Sequence, residues 1–225
     1  MTTDQFTRPA QTSDLTPNRV RTGIIGLTLA LGAAVVATVL LIRPWQVRNQ
    51  FGYDDISPVR DAMWTGIVVD TVSFAVVGFT LGLVVCGLAR TRGAAWANVG
   101  AVLTALGGVT FAMGAFGFAA LAWYATDTAA LTAADGARLL EYVVDNRLHV
   151  MVMQMAGFMI YTLGSLVLAV ALLRARTITR WLPIALIVVT LAQFTPVPQR
   201  GLDLIQVAVM AVLIGIAGAY LRTTR

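Results

Sequence analysis

Asp70 stands alone. The apolar stretch Met63–Leu88 carries no other charged residue. On a helix rising 1.5 Å per residue, Asp70 would lie ~10 Å below the end of that stretch. A carboxylate at such a depth in hydrocarbon costs about 2.5–3.5 kcal/mol unless it is paired, protonated or hydrated. One reading makes it a proton or cation site, or the counter-ion of a ligand. The other makes it a structural hydrogen bond between helices, with Thr71 and Ser73 beside it.

Further polar residues fall at the same level of other apolar stretches. Arg147 and His149 precede the run Val150–Leu173, and Gln154 lies one to two turns inside it. Gln193 ends the next run. Gln199, Arg200 and Asp203 occupy the tight loop Thr195–Asp203, and Gln206 enters the last run. If these segments enclose a common centre, Asp70, Arg147, His149, Gln154, Arg200, Asp203 and Gln206 form an outward-open pocket for a ligand or a proton. Arg147 or Arg200 is then the counter-charge of Asp70. The alternative is ordinary polarity at helix ends.

His149 is the only histidine. With Met151, Met153 and Met155 it forms His-Val-Met-Val-Met-Gln-Met, and His149 and Met153 share a helical face. Thioethers suit Cu(I), and His with Met can ligate haem. Met is also a common apolar filler. One histidine per chain excludes bis-His haem within it, and Cys-x-x-Cys-His is absent. Phosphate loops, His-Glu-x-x-His and Gly-x-Ser-x-Gly are missing too, so the chain reads as non-enzymatic. No cofactor is expected. Cys86, the single cysteine, sits in an apolar stretch and reads as a small buried hydrophobe.

The elements that would hold these residues follow from composition. The 225 residues are 58% hydrophobic and 12% charged, with mean hydropathy +0.78. Soluble domains carry about 25% charged residues. The apolar residues come in blocks of about twenty, the length that crosses a bilayer as a helix, and the ~10-residue alternation of a β-barrel is absent. The fold class is therefore all-α: a polytopic membrane bundle of six helices. The spans are placed at Thr22–Ile42, Met63–Leu88, Ala94–Tyr124, Val150–Leu173, Ile178–Phe194 and Leu204–Leu221. Residues 1–20 read as a disordered cytoplasmic tail, and 21–225 as the transmembrane domain. The first run lacks a small-residue cleavage site and reads as an anchor that stays. The third span must tilt, kink near Gly107 and Gly108, or project beyond the bilayer. Ser57-Pro58 resembles a helix start. Thr132-Ala-Ala-Asp135 resembles a capping box opening a short amphipathic helix on the membrane surface.

Every basic residue is arginine. With the N-terminus inside, ten arginines fall inside and six outside, while most acids fall outside. The positive-inside rule then makes both termini cytoplasmic. The same rule accounts for the pI near 10.1 without nucleic acid. Trp45, Trp64, Trp96, Trp123 and Trp181 fall near span ends, as interfacial tryptophans do. Gly78 with Gly82, Gly108 with Ala112, and Ala115 with Ala119 offer close-packing faces.

Phe79-Thr-Leu-Gly82 is echoed by Tyr161-Thr-Leu-Gly164. Each leads to an Arg-x-Arg turn and then a tryptophan. This suggests a parallel repeat of 63–124 with 150–194. The second copy, from Tyr161-Thr-Leu-Gly through Arg174-x-Arg176 to Arg180-Trp181-Leu182, resembles a hairpin in a family of six-span bacterial membrane proteins. There a Pro-Arg-Trp-Leu-like sequence follows the basic turn; here the proline stands at Pro183. The resemblance implies the six-span fold and brings no activity with it.

The expected function is binding, or service as an accessory subunit, in the bacterial cytoplasmic membrane, through the outer pocket. The alternatives are a small proton-coupled transporter using Asp70, and haem or copper handling through His149 and the Met cluster. Expected partners are the lipid bilayer and a membrane protein or a second copy of the chain.

Overall fold

The computed structural model describes residues 15–43 and 52–223. All regular structure among them is helical: α1 (Leu15–Ile42), α2 (Tyr53–Ile56), a 3-10 turn (Ser57–Val59), α3 (Arg60–Leu88), α4 (Ala94–Ala125), α5 (Ala133–Asp145), α6 (Arg147–Val150), α7 (Val152–Ala175), α8 (Trp181–Ala192) and α9 (Gln199–Arg222). Most of the expected tail and Trp45 lie outside the described residues. Residues 15–20, expected in the tail, already belong to α1.

Five segments are long and apolar enough to cross a membrane: Arg19–Ile42, Tyr53–Leu88, Ala94–Ala125, Val152–Ala175 and Gln199–Arg222. The segment expected over Ile178–Phe194 forms a helix of 12 residues, ~18 Å by rise. Arg176 takes a left-handed conformation (φ 54°), which ends α7 and delays the next helix to Trp181. Pro196 and Pro198 bar any extension beyond the turn after Ala192.

Six helices close into a ring in the order α1, α3, α4, α7, α8, α9, with α9 returning to α1. Two ends are distinct. Gly26 meets Leu221, Gly87 meets Tyr220, and Gly93 meets Ala171. The start of α1, the α3–α4 turn, the end of α7 and the end of α9 therefore share one end, which holds Arg21, Arg90, Arg174 and Arg222. Gly93 has φ 93° in that turn, and a Cβ on it would press on the Ala171 carbonyl oxygen at 2.7 Å. At the opposite end Arg43 reaches Asp203. Thus α1 and α4 run one way and α3, α7 and α9 the other. Leu182 packs on Gly215 and Val197 on Gly201, so α8 climbs back along α9.

The tightest packing joins α4 to α7. Gly100, Gly107 and Gly114, seven residues apart, lay their backbone against Gly164 and Leu168, Gly157 and Tyr161, and Gln154. Gly78 and Gly82 do the same for α3 against Thr104 and Ala101, as expected of that pair. Of Gly107 and Gly108, it is Gly107 that takes the closest approach.

At the opposite, acidic end, which carries Asp54, Asp55, Asp61 and Asp127, a smaller core forms from Ile56, Met63, Phe118, Ala122, Leu140 and Val143. Thr132 caps α5 as expected: its hydroxyl accepts from the Asp135 amide at 3.2 Å, and the Asp135 carboxylate accepts from that hydroxyl at 2.6 Å rather than from the Thr132 amide of a full capping box. Ser57-Pro58 does not cap a helix; it lies in the 3-10 turn joining α2 to α3. Arg60 ties the start of α3 to the end of α4. Its guanidinium sits 3.2 Å from Asp127 and stacks 4.8 Å from the Trp123 ring centroid.

Candidate functional site

A cavity of about 320 Å³ opens at the acidic end, lined from α1, α3, α4, α7 and α9. Its walls include Phe111, Phe118, Phe158 and Met155. Its polar lining is Arg43, Asp70, Gln154, Gln199 and Gln206. Beneath it Phe74, one turn below Asp70, stacks 4.5 Å from both Phe111 and Tyr161. That aromatic cluster closes the floor toward the arginine-rich end.

Asp70 lies ten residues into α3, ~15 Å from its start. One of its carboxylate oxygens, Oδ1, is buried and accepts no hydrogen bond. Thr71 does not serve it, because the Thr71 hydroxyl donates to the Val68 carbonyl at 3.1 Å. Around Asp70 the cavity offers primary amides from three glutamines, each able to donate and accept.

The mouth is held by charge. Arg43, at the end of α1, donates to the carboxylate of Asp203, the fifth residue of α9. Gln199 donates to the same carboxylate at 3.3 Å. Both charged groups are withdrawn from solvent, with side-chain exposures of 12% and 5%. Arg200 stands outside this pair: it reaches the Leu41 carbonyl at 3.3 Å and comes within 4.0 Å of Asp203.

Of the residues singled out in the sequence, Asp70, Gln154 and Gln206 share the cavity. Asp203 stands behind its mouth, in α9 rather than in a loop. Arg200 and His149 are exposed, and the Arg147 side chain lies outside what the structure describes. Met151 and Met155 line the cavity, whereas Met153 does not; Met153 and Met155 are both exposed. Arg43, which the sequence offered only as a topology signal, is the arginine that shares the cavity with Asp70.

The lining contains no Ser, Cys or His. No group of three or more His, Cys, Asp or Glu side chains gathers anywhere among the described residues. An unpartnered carboxylate oxygen, amides and aromatic walls suit recognition of a small molecule that has an apolar body and a hydrogen-donating or cationic group. No protein-family model matches the chain, and neither a curated protein nor a solved structure is significantly similar to it.

Proposed function

We propose that this membrane protein crosses the bilayer six times with both termini cytoplasmic, and that its outer cavity binds a small amphiphile through Asp70. The six passages are supported by the shared end of α1 and α9, which requires an even number of traverses. The arginines at that end orient it to the cytoplasm. The twelve residues of α8 fall short of a ~30 Å core. The flanking non-helical residues complete the passage between α7 and α9, since irregular backbone is tolerated at membrane depth when protein shields it. In a Cys86→Ser background, Thr128→Cys should react with an impermeant maleimide in intact cells. Thr223→Cys should react only after lysis. Labelling of both in intact cells would rule out this topology.

The observation that carries the binding role is the buried, unpartnered oxygen of Asp70, a residue that lines one cavity with three glutamines and aromatic walls. A protonated amine on an apolar body satisfies both. Short primary alkylamines should raise the melting temperature of the purified chain. Asp70→Asn should weaken their binding by about tenfold or more, the loss of one charge-assisted hydrogen bond. Without ligand, Asp70→Asn should melt no lower than the wild type, because Oδ1 is buried without a hydrogen bond and the cost of burying the charge outweighs what Arg43 across the cavity returns. A lower melting point together with unchanged amine binding would mark Asp70 as structural.

A further inference from the structure

The arginine-rich end holds a second cavity, of about 260 Å³, between α1, α3 and α9. We propose that it is a binding site for a phosphoryl group, either the headgroup of an anionic phospholipid or a soluble phosphate compound. It lies at the far end of the bundle from the Asp70 cavity and does not depend on the role given to that one.

Arg21 and Arg90 stand over the cavity from α1 and from the turn after α3. Neither makes an ion pair among the described residues. Among the described residues this end contains no Asp or Glu, so no described carboxylate answers their charge. Arg90 is positioned for the task. Its Nε donates to the Gly87 carbonyl at 3.1 Å, which fixes the guanidinium and leaves its terminal nitrogens as a fork for oxyanion contacts. Tyr220 packs against Gly87: a Cβ there would come within 2.8 Å of its ring and 3.0 Å of its hydroxyl. The phenol is thereby held in the cavity wall, as a third donor beside the two arginines.

The remaining wall is apolar, with Ile25 and Leu83 below the arginines. Cationic groups above, a hydroxyl at the side and an apolar descent beneath match a headgroup with its acyl chains. A free phosphate would use only the upper part.

The test uses the full chain, purified in detergent. In native mass spectrometry the wild type should retain phosphatidylglycerol over phosphatidylcholine. Arg21→Gln with Arg90→Gln should weaken that retention by about thirtyfold, or about fivefold per arginine, from the usual attraction of surface arginines to anionic lipid. Inorganic phosphate is the second probe. If it raises the melting temperature of the wild type and not of the double variant, the site takes soluble phosphate. If it has no effect while lipid retention falls, the site takes the headgroup. Arg176→Gln, outside the cavity, should change neither. Equal lipid retention and equal phosphate response in the wild type and the double variant would overturn the proposal, as would the same loss in Arg176→Gln. Should the double variant fail to fold, Arg21→Gln alone gives the reading, since Arg21 makes no hydrogen bond that the described structure needs.

Discussion

A Gly107→Leu chain should fail to assemble as a monodisperse bundle. A Cβ at Gly107 would stand 2.7 Å from the Tyr161 Cα and 2.8 Å from the Gly157 carbonyl oxygen. Reciprocally, one at Gly157 would stand 2.7 Å from the Phe111 Cα. These are backbone atoms of the facing helix, so no rotamer change relieves the overlap. The helices must separate, and the contacts at Gly100 and Gly114 on the same heptad line separate with them. Between lipid-solvated helices packing is the main attraction, because acyl chains are as apolar as the side chains they replace. Inserting a single methylene into a tight core costs about 1–3 kcal/mol. Leucine inserts four carbons against rigid backbone, so the loss should exceed that range. Gly107→Ala should fall inside it. Gly117 lies on the same helix with nothing within 4 Å of its missing Cβ, and Gly117→Leu should be neutral. Size exclusion and thermal melting in detergent check the series. A Gly107→Leu protein that elutes and melts like the wild type would mean that α4 and α7 are not held in this register.

The long helices were legible in the sequence because hydrocarbon imposes a length and forbids interruptions. The stretch read as Ala94–Tyr124 is α4, Ala94–Ala125, and Met63–Leu88 is the body of α3. What the sequence does not carry is direction around the helix. Gly107 and Gly108 are indistinguishable as letters, yet only Gly107 meets α7 at backbone distance; Gly108 finds the α3 backbone no closer than 3.4 Å. The short α8 escaped for a different reason. Its flanks Ile178 and Phe194 are apolar and read as helix, while the left-handed Arg176 and the prolines beyond Thr195 set its limits.

The cavity was half legible. Asp70, Gln154 and Gln206 sit on three separate helices and line one cavity, and polar side chains in hydrocarbon turn toward one another. Arg43 was not legible in that role. An arginine at the end of a span answers equally well to the topology rule, and its partner lies 160 residues away. The amphipathic α5 was readable from its cap because capping is local, fixed by four consecutive residues.

That long-range pair leads to the second large effect, expected from Arg43→Met. Exposed ion pairs contribute about 0–1 kcal/mol. Arg138 and Asp135, 80% and 54% exposed and 3.8 Å apart, should behave in that way, so Arg138→Gln should leave the melting temperature nearly unchanged. Arg43 and Asp203 differ in burial, and removing one partner of a buried pair costs about 3–5 kcal/mol, since the other charge is left without compensation. Gln199 already donates to Asp203 and Arg200 approaches it, so Arg43→Met should fall at the lower end of that range. Replacing both, Arg43→Met with Asp203→Leu, removes both desolvated charges and should recover most of the loss. The double-mutant cycle read by thermal or denaturant unfolding isolates the coupling. Additive single effects would show that the two charges do not act on each other. The consequence reaches the cavity, because the pair joins the first long helix to the last across its mouth. Arg43→Met should therefore weaken amine binding as well as stability, whereas Arg43→Met with Asp203→Leu should restore stability and leave binding weakened. That split separates closing the ring from shaping the site that Asp70 occupies.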